Sequence, residues 1–161
     1  MKLNDTHSYG DADVEAVFAL ISSKDFRTEA AEDAGATDID ISVESSGGVT
    51  TVTIVRTQPA DMPDFVKKLS GDTVKIKQTE KWSEPASDGS RSADVKVSII
   101  GQPAEMLGTA KLYPKGSGSS FDLDGEVKVS IPFIGKKIEP EIAKAIKASL
   151  KGEVELGMTK L

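Results

Sequence analysis

Apolar and polar residues alternate with a period of two over most of the chain between Thr37 and Ile131. This alternation is typical of strands that have one buried and one solvated face. The segment "TVKIKQTEKW" (Thr73–Trp82) is the clearest case, because its lysines and threonines all fall on one face. Turns rich in glycine and proline divide the region into six segments, which we interpret as six consecutive antiparallel strands.

The first 36 residues predict one strand and two short helices. Residues 2–10 have strand character, and the segment "GDAD" then supplies Asp11 or Asp13 as a helix N-cap. The second helix, "SSKDFRTEAAEDAG", ends at Gly35, as expected of the glycine that follows a helix. The apolar face of the first helix carries Val14, Val17, Phe18 and Ile21.

A long amphipathic helix is predicted from about Lys136 to about Gly157, which is roughly 30 Å at 1.5 Å per residue. Pro140 fits only in a first helical turn, so the helix is expected to begin close to residues 136–138. Six antiparallel strands need a cover over their apolar face, and this helix is the obvious candidate. One row of the helix holds Ile138, Ile142, Ile146 and Leu150, and Ala145 and Ser149 widen it.

Composition narrows the class of protein. The chain has 161 residues, 38% of them hydrophobic, which suits one domain over residues 1–161 and excludes a bilayer-spanning or disordered chain. A net charge of −6 argues against a nucleic-acid partner. The N-terminus lacks the apolar core of a secretory signal, so we expect a cytoplasmic protein. A protein partner cannot be named from these features.

Residues with obvious chemistry are few. The chain has no cysteine and one histidine, His7, which we interpret as structural or solvent-facing. The glycine-rich segments lack phosphate-loop spacing and are interpreted as turns. Trp82, the single tryptophan, is expected to pack in the core at a strand end. We therefore predict no catalytic residue, no metal site and no cofactor.

Gln78 and Glu80 lie on the same predicted strand face as Ile76. A buried, unpaired glutamate is costly, so Glu80 needs a partner, a water molecule or a solvated rim. A register with Arg56 opposite Val74 separates Arg56 from Glu80 by roughly 20 Å, which argues against their pairing. We expect Glu80 at a wet rim, and the alternative is a polar anchor for a ligand head group.

Four segments of the sequence resemble one uncharacterised bacterial family of the START-like (SRPBCC) helix-grip superfamily. This resemblance implies an α+β fold, in which a curved seven-stranded antiparallel sheet grips the C-terminal helix, often around a cavity. It implies little about activity. The segments are "VFALISSKDFR", "RTQPADMPDFVKKLSGDTVKIKQTEKW", "GQPAEMLGTAKLYP" and "VKVSIPFIGKKIEPEIAKAI".

Small residues on both sides of the sheet–helix contact predict an apolar cavity beneath the helix. If the turn "KGSG" sets Leu112 opposite Phe121, then Gly108 faces Gly125 and leaves the concave face without side chains there. The entrance is expected near the Gln58–Asp72 connection. The predicted binding residues are Val52, Ile54, Ile76, Gln78, Glu80, Val95, Val97, Gly108, Ala110, Leu123, Gly125, Val127, Ile138, Ile142, Ala145 and Ile146.

Three functional hypotheses follow. The first is a non-enzymatic carrier or sensor of a small apolar or amphipathic ligand. The second is a cyclase- or hydrolase-like enzyme, which needs two titratable groups within hydrogen-bond reach inside the cavity. The third is a protein-interaction module with a filled core, which a measurable cavity would argue against.

Overall fold

Seven antiparallel strands form one sheet in the computed structural model, which describes residues 1–161. Their order is β1-β7-β6-β5-β4-β3-β2, so the first strand closes one edge beside the last strand. This confirms the predicted helix-grip architecture. The strands are β1 (Lys2–Ser8), β2 (Thr37–Ser46), β3 (Val49–Pro59), β4 (Thr73–Trp82), β5 (Arg91–Ile99), β6 (Ala104–Lys115) and β7 (Gly118–Val129).

The short helices begin where the sequence predicts. Asp13 Oδ1 accepts a hydrogen bond from the Ala16 backbone N–H at 2.8 Å, and Ser23 caps the next helix in the same way. Gly35 has φ +85° just after that helix, a conformation that glycine adopts without strain. The helices are α1 (Val14–Ile21), α2 (Lys24–Asp33), α3 (Asp64–Ser70) and α4 (Gly135–Met158).

The register of β6 and β7 is as predicted. Leu112 pairs with Phe121 and Gly108 pairs with Gly125. The predicted register of β3 and β4 is wrong by two residues, because Arg56 pairs with Ile76 and not with Val74. An even shift leaves every side chain on its predicted face.

Helix α4 begins at Gly135, one residue before the predicted range. Pro140 therefore lies in its second turn, and the prediction that it fits only in the first turn is wrong. The chain enters the helix tightly. A Cβ on Gly135 would collide with the backbone oxygen of Val129, so only glycine fits there. Glycine at this position therefore lets the start of α4 lie against the end of β7.

The helices cover the two sides of the concave face unequally. Helix α4 packs on β7 and β1, whereas α2 packs on β2 and touches α4. Neither helix packs extensively on β3, β4 or β5. The middle of the sheet is therefore covered only by the edges of α2 and α4. The candidate site lies in the space between these edges and the sheet.

Candidate ligand-binding cavity

A cavity of about 160 Å³ lies between the middle of the sheet and the helices α2 and α4. Of its 28 lining residues 20 are hydrophobic, so a ligand inside would meet mainly apolar surface. This volume is close to that of a cavity able to hold a benzene ring, roughly 150 Å³. The sheet contributes most of the wall, with Ile54, Val74, Ile76, Val95, Val97, Ile99, Ala110 and Leu123 among its apolar residues.

Most of the residues predicted to bind a ligand do line this cavity. They come from β3 to β7 and from one face of α4. Their role in binding stays a prediction. They are Ile54, Ile76, Gln78, Glu80, Val95, Val97, Ala110, Leu123, Ile142, Ala145 and Ile146.

Five predicted residues do not line the main cavity. Val52 and Val127 are fully buried in packed core. Ile138 lines a separate cavity of about 30 Å³. Gly108 and Gly125 allow close packing and leave no empty space: a Cβ on Gly108 would collide with the Asp124 backbone, and the Met106 side chain occupies the space at Gly125.

Helix α2 forms part of the wall, which the sequence-based prediction missed. Its residues Ala30 and Ala31 face the cavity, as does Ala34 just after the helix. Three small side chains cover the sheet without filling the space beneath. The segment "EAAEDA" contains these three alanines, but only the tertiary structure shows that this face of α2 points toward the sheet.

The exposed part of the lining belongs to the helices. Ala34, Ala145 and Ser149 line the cavity and are exposed to solvent. The Gln58–Asp72 connection, which was predicted to form the entrance, contributes Gln58 and Met62 to the wall. We infer that the opening lies between α2 and α4, because the most exposed lining residues are there, whereas Gln58 and Met62 are half-buried.

Glu80 is buried, and the expectation of a wet rim is wrong. Its side chain is 7% exposed and forms a bidentate ion pair with Arg27 of α2, with N–O distances of 2.5 and 3.1 Å. Gln78 Nε2 and Trp82 Nε1 also donate to its two oxygens. Although burial alone would raise the pKa of Glu80, Arg27 and these donors hold it below its usual range.

Arg27 also pairs with Glu153 of α4 and so ties three elements together. Its Nε lies 2.9 Å from Glu153 Oε1, and its Nη1 donates to the Ile21 carbonyl at 3.0 Å. Burial raises the pKa of Glu153, with Arg27 opposing that effect and Glu80 adding to it. The sequence held one signal for Glu153, which continues the row of Ala145 and Ser149 along α4 at intervals of four residues.

Arg56 lies on β3 and is the second guanidinium of the cavity wall. Arg56 makes no ion pair with Glu80, but the predicted separation of roughly 20 Å is wrong, because the Gln78 amide hydrogen-bonds to both side chains. Its Nε donates to Gln58 Oε1 at 3.2 Å and its Nη1 to Gln78 Oε1 at 3.3 Å. Burial, followed by the positive charge of Arg27, lowers the pKa of Arg56.

Trp82, His7 and Tyr9 lie outside the cavity. Trp82 is 1% exposed and packs edge-on against Phe18, as predicted for a core residue. His7 contacts Asp5 on β1 at 2.9 Å. The hydroxyl of Tyr9 is buried without a hydrogen-bond partner, and burial raises the pKa of Tyr9, so the phenol stays neutral.

The raised pKa of Glu153 predicts a pH-dependent stability difference between the protein and Glu153→Gln. A folded-state pKa above the unfolded value means that folding takes up a proton, so the stabilising contribution falls as pH rises from the usual glutamate range through the raised pKa. The lowered pKa of Glu80 has the opposite effect, since its contribution is lost as pH falls through the folded-state value.

Urea unfolding of both proteins across this pH range tests the prediction. The free energy of unfolding of the parent minus that of Glu153→Gln is expected to decrease as pH rises. The titrations of surface groups are common to both proteins and cancel in the difference, while Glu80, whose pKa is lowered, stays ionised in the folded state across this range. A difference that stays constant with pH contradicts the prediction.

The chain matches a family model described as "Protein of unknown function (DUF2505)" over residues 5–160, and it belongs to that family. It is also 32% identical over 95 residues to an uncharacterised protein of Mycobacterium tuberculosis and to one of Mycobacterium bovis. The match covers 58% of this chain and 54% of each of those proteins. The aligned segment thus spans about half the length of these curated relatives.

Solved structures with the same fold share little sequence with this chain. The protein TTHA0849 from Thermus thermophilus has a TM-score of 0.65 at 15% identity, with 99% of each chain covered. A STAR-related lipid transfer protein from Xanthomonas axonopodis has a TM-score of 0.59 at 12% identity, with 91% of this chain and 80% of that chain covered. Zhui aromatase/cyclase from Streptomyces sp. R1128 has a TM-score of 0.56 at 8% identity, with 99% of this chain and 91% of that chain covered.

These similarities establish the fold. The family has relatives in mycobacteria, and its fold is the helix-grip fold that the sequence motifs predicted. None of the four helices combines the length and the apolar character that crossing a bilayer requires.

Proposed function

We propose that this chain is a non-enzymatic binding protein, a carrier or sensor that holds a small hydrophobic or amphipathic molecule between the sheet and α4. The observation that carries the proposal is the cavity of about 160 Å³ with its mainly hydrophobic lining. Burial of apolar ligand surface would supply most of the binding free energy. Residues 1–161 act as one START-like domain in this proposal, and the cytoplasm remains the predicted compartment.

The fold is consistent with this role. One structural neighbour is described as a lipid transfer protein, and this chain has the same fold. A filled-core interaction module is a weaker explanation, because packing that served only stability would leave few voids larger than a water molecule.

An enzyme of the cyclase or hydrolase kind is the alternative, and one observation favours it. Arg27, Glu80 and Glu153 are titratable groups within hydrogen-bond reach on the cavity wall. Both oxygens of Glu80 are engaged by donors, which makes it a poor base, so Glu153 with its raised pKa is the one candidate acid. Native mass spectrometry distinguishes the two roles, because a carrier releases its ligand with unchanged mass.

Replacing Ala110 with Trp tests the cavity directly. Ala110 is 2% exposed and faces the cavity from β6, so the indole would occupy space that a ligand needs. We expect the neutral fluorescent probe N-phenyl-1-naphthylamine to bind the parent protein and to bind Ala110→Trp at least tenfold more weakly. The free energy of unfolding should change little.

Ala93 provides a matched control. It pairs with Ala110 across β5 and β6, is 3% exposed and does not line the cavity. Ala93→Trp should overpack the core and destabilise the protein by about 1–3 kcal/mol. Failure of the parent protein to bind the probe, or equal destabilisation by both substitutions, would count against the proposed function.

A further inference from the structure

Arg56 differs from the other buried arginine in lacking an ionic partner. Both side chains are more than nine-tenths buried and both line the cavity. Arg27 contacts two carboxylates, whereas no carboxylate lies within 4.0 Å of the Arg56 guanidinium, which donates only to two amide oxygens. A guanidinium carries five N–H donors, so most of the donors of Arg56, including those on Nη2, remain free.

Arg56 has no carboxylate in direct contact, and only the more distant charges of Glu153 and Glu80 partly offset its own. The nearby acids are the buried Glu80 and the half-buried Glu153, and both are in direct contact with Arg27. Arg27 adds repulsion, because its positive charge is one of the causes that lower the pKa of Arg56. A buried charge without a partner is destabilising, so an anion entering the cavity would gain a strong and specific interaction.

The two amides near Arg56 fix its direction. Gln78 donates from Nε2 to Glu80 at 2.6 Å, which leaves Gln78 Oε1 to accept from Arg56 Nη1. Gln58 accepts from Nε on the other edge of the guanidinium. With these two atoms engaged, the Nη2 end is the one available to a ligand.

We propose that Arg56 binds the carboxylate of an amphipathic acid whose apolar part lies against the hydrophobic wall of the cavity. This inference rests on the proposed function and adds the ligand class to it. A planar guanidinium pairs well with a carboxylate, and Arg56 lies on the same concave face as Ile54 and Ile76, which would contact the first carbons of the chain. The part of a longer tail that the cavity does not enclose would extend to solvent through the opening between α2 and α4, where Ala145 and Ser149 are exposed.

The test compares decanoate with decan-1-ol as competitors of N-phenyl-1-naphthylamine. The two molecules have the same chain length and differ in the charge of the head group. We expect the parent protein to bind decanoate at least tenfold more tightly than decan-1-ol. In Arg56→Gln the preference should disappear, while the affinities for decan-1-ol and for the neutral probe stay within about twofold.

Arg91→Gln is the control for net charge. Arg91 is a half-buried residue that pairs with Glu15 and does not line the cavity, so its replacement should leave the preference for decanoate intact. Arg56→Met gives a second uncharged variant if Arg56→Gln folds poorly, and the comparison in the parent protein needs no variant.

The outcomes separate this inference from the proposed function. Equal binding of acid and alcohol by the parent protein, or a preference retained in both Arg56 variants, overturns the role of Arg56 and leaves the proposed binding function standing. No binding of the neutral probe or of either competitor overturns both.

Discussion

Replacing Glu80 with alanine is expected to lower the free energy of unfolding by about 3–5 kcal/mol, the loss typical of breaking a buried ion pair from one side. Arg27 would keep its ion pair with Glu153 but lose the buried bidentate ion pair with Glu80. The N–H groups of Gln78 and Trp82 that now donate to Glu80 would be left without an acceptor. Urea unfolding monitored by the fluorescence of Trp82 measures the change.

An exposed ion pair supplies the comparison for this result. Lys151 and Glu155 lie 3.9 Å apart on the outer face of α4, and both side chains are more than two-thirds exposed. Glu155→Ala should change the free energy of unfolding by less than about 0.5 kcal/mol. If Glu80→Ala is no more destabilising than Glu155→Ala, the buried pair does not hold α2 to the sheet.

Replacing Ile142 with aspartate is the second change for which we expect a large effect. Ile142 is 8% exposed and lines both the main cavity and the smaller one, so it forms part of the apolar wall between them. Truncation of such an isoleucine to alanine costs about 2–5 kcal/mol. A carboxylate at this position adds the cost of burying an unpaired charge, so we expect loss of the cooperative fold or detachment of α4.

Two further variants on α4 calibrate this prediction. Ile146 is only half-buried at the opening, where a carboxylate reaches water, so Ile146→Asp should be clearly milder than Ile142→Asp. Ala148 lies on the exposed face, and Ala148→Asp should have little effect. Thermal unfolding and far-UV circular dichroism report both outcomes. Equal stability of all three variants would show that α4 does not depend on its apolar face.

The short-range patterns of the sequence were enough to predict most of the fold. The period of two fixes which residues of β4 share a face, because successive side chains of a strand point to opposite sides. The tight turn between β6 and β7 was enough to predict the pairing of Gly108 with Gly125. The register of β3 and β4 was beyond this reasoning, since the connection between them holds a helix, α3, in place of a tight turn.

The polar part of the site depended on contacts between distant segments. Glu80 could be recognised as a polar residue on an apolar face, but its partner Arg27 lies 53 positions earlier in the chain. The cluster forms only when α2 packs on β2, so that the Arg27 side chain reaches β4, and when α4 brings Glu153 to the same point. Periodicity describes single elements, so it cannot predict which side chains from three elements will meet.

The sequence by itself thus determined the strands and helices, their order, and the apolar faces through which the sheet packs against α4. These features depend on residues that are near one another along the chain. Only the tertiary structure decided where space remained. Gly108 and Gly125 allow close packing, whereas the equally small residues Ala30, Ala31 and Ala110 line a cavity. The difference arises from how far each pair of elements is held apart, which is set by packing across the whole fold.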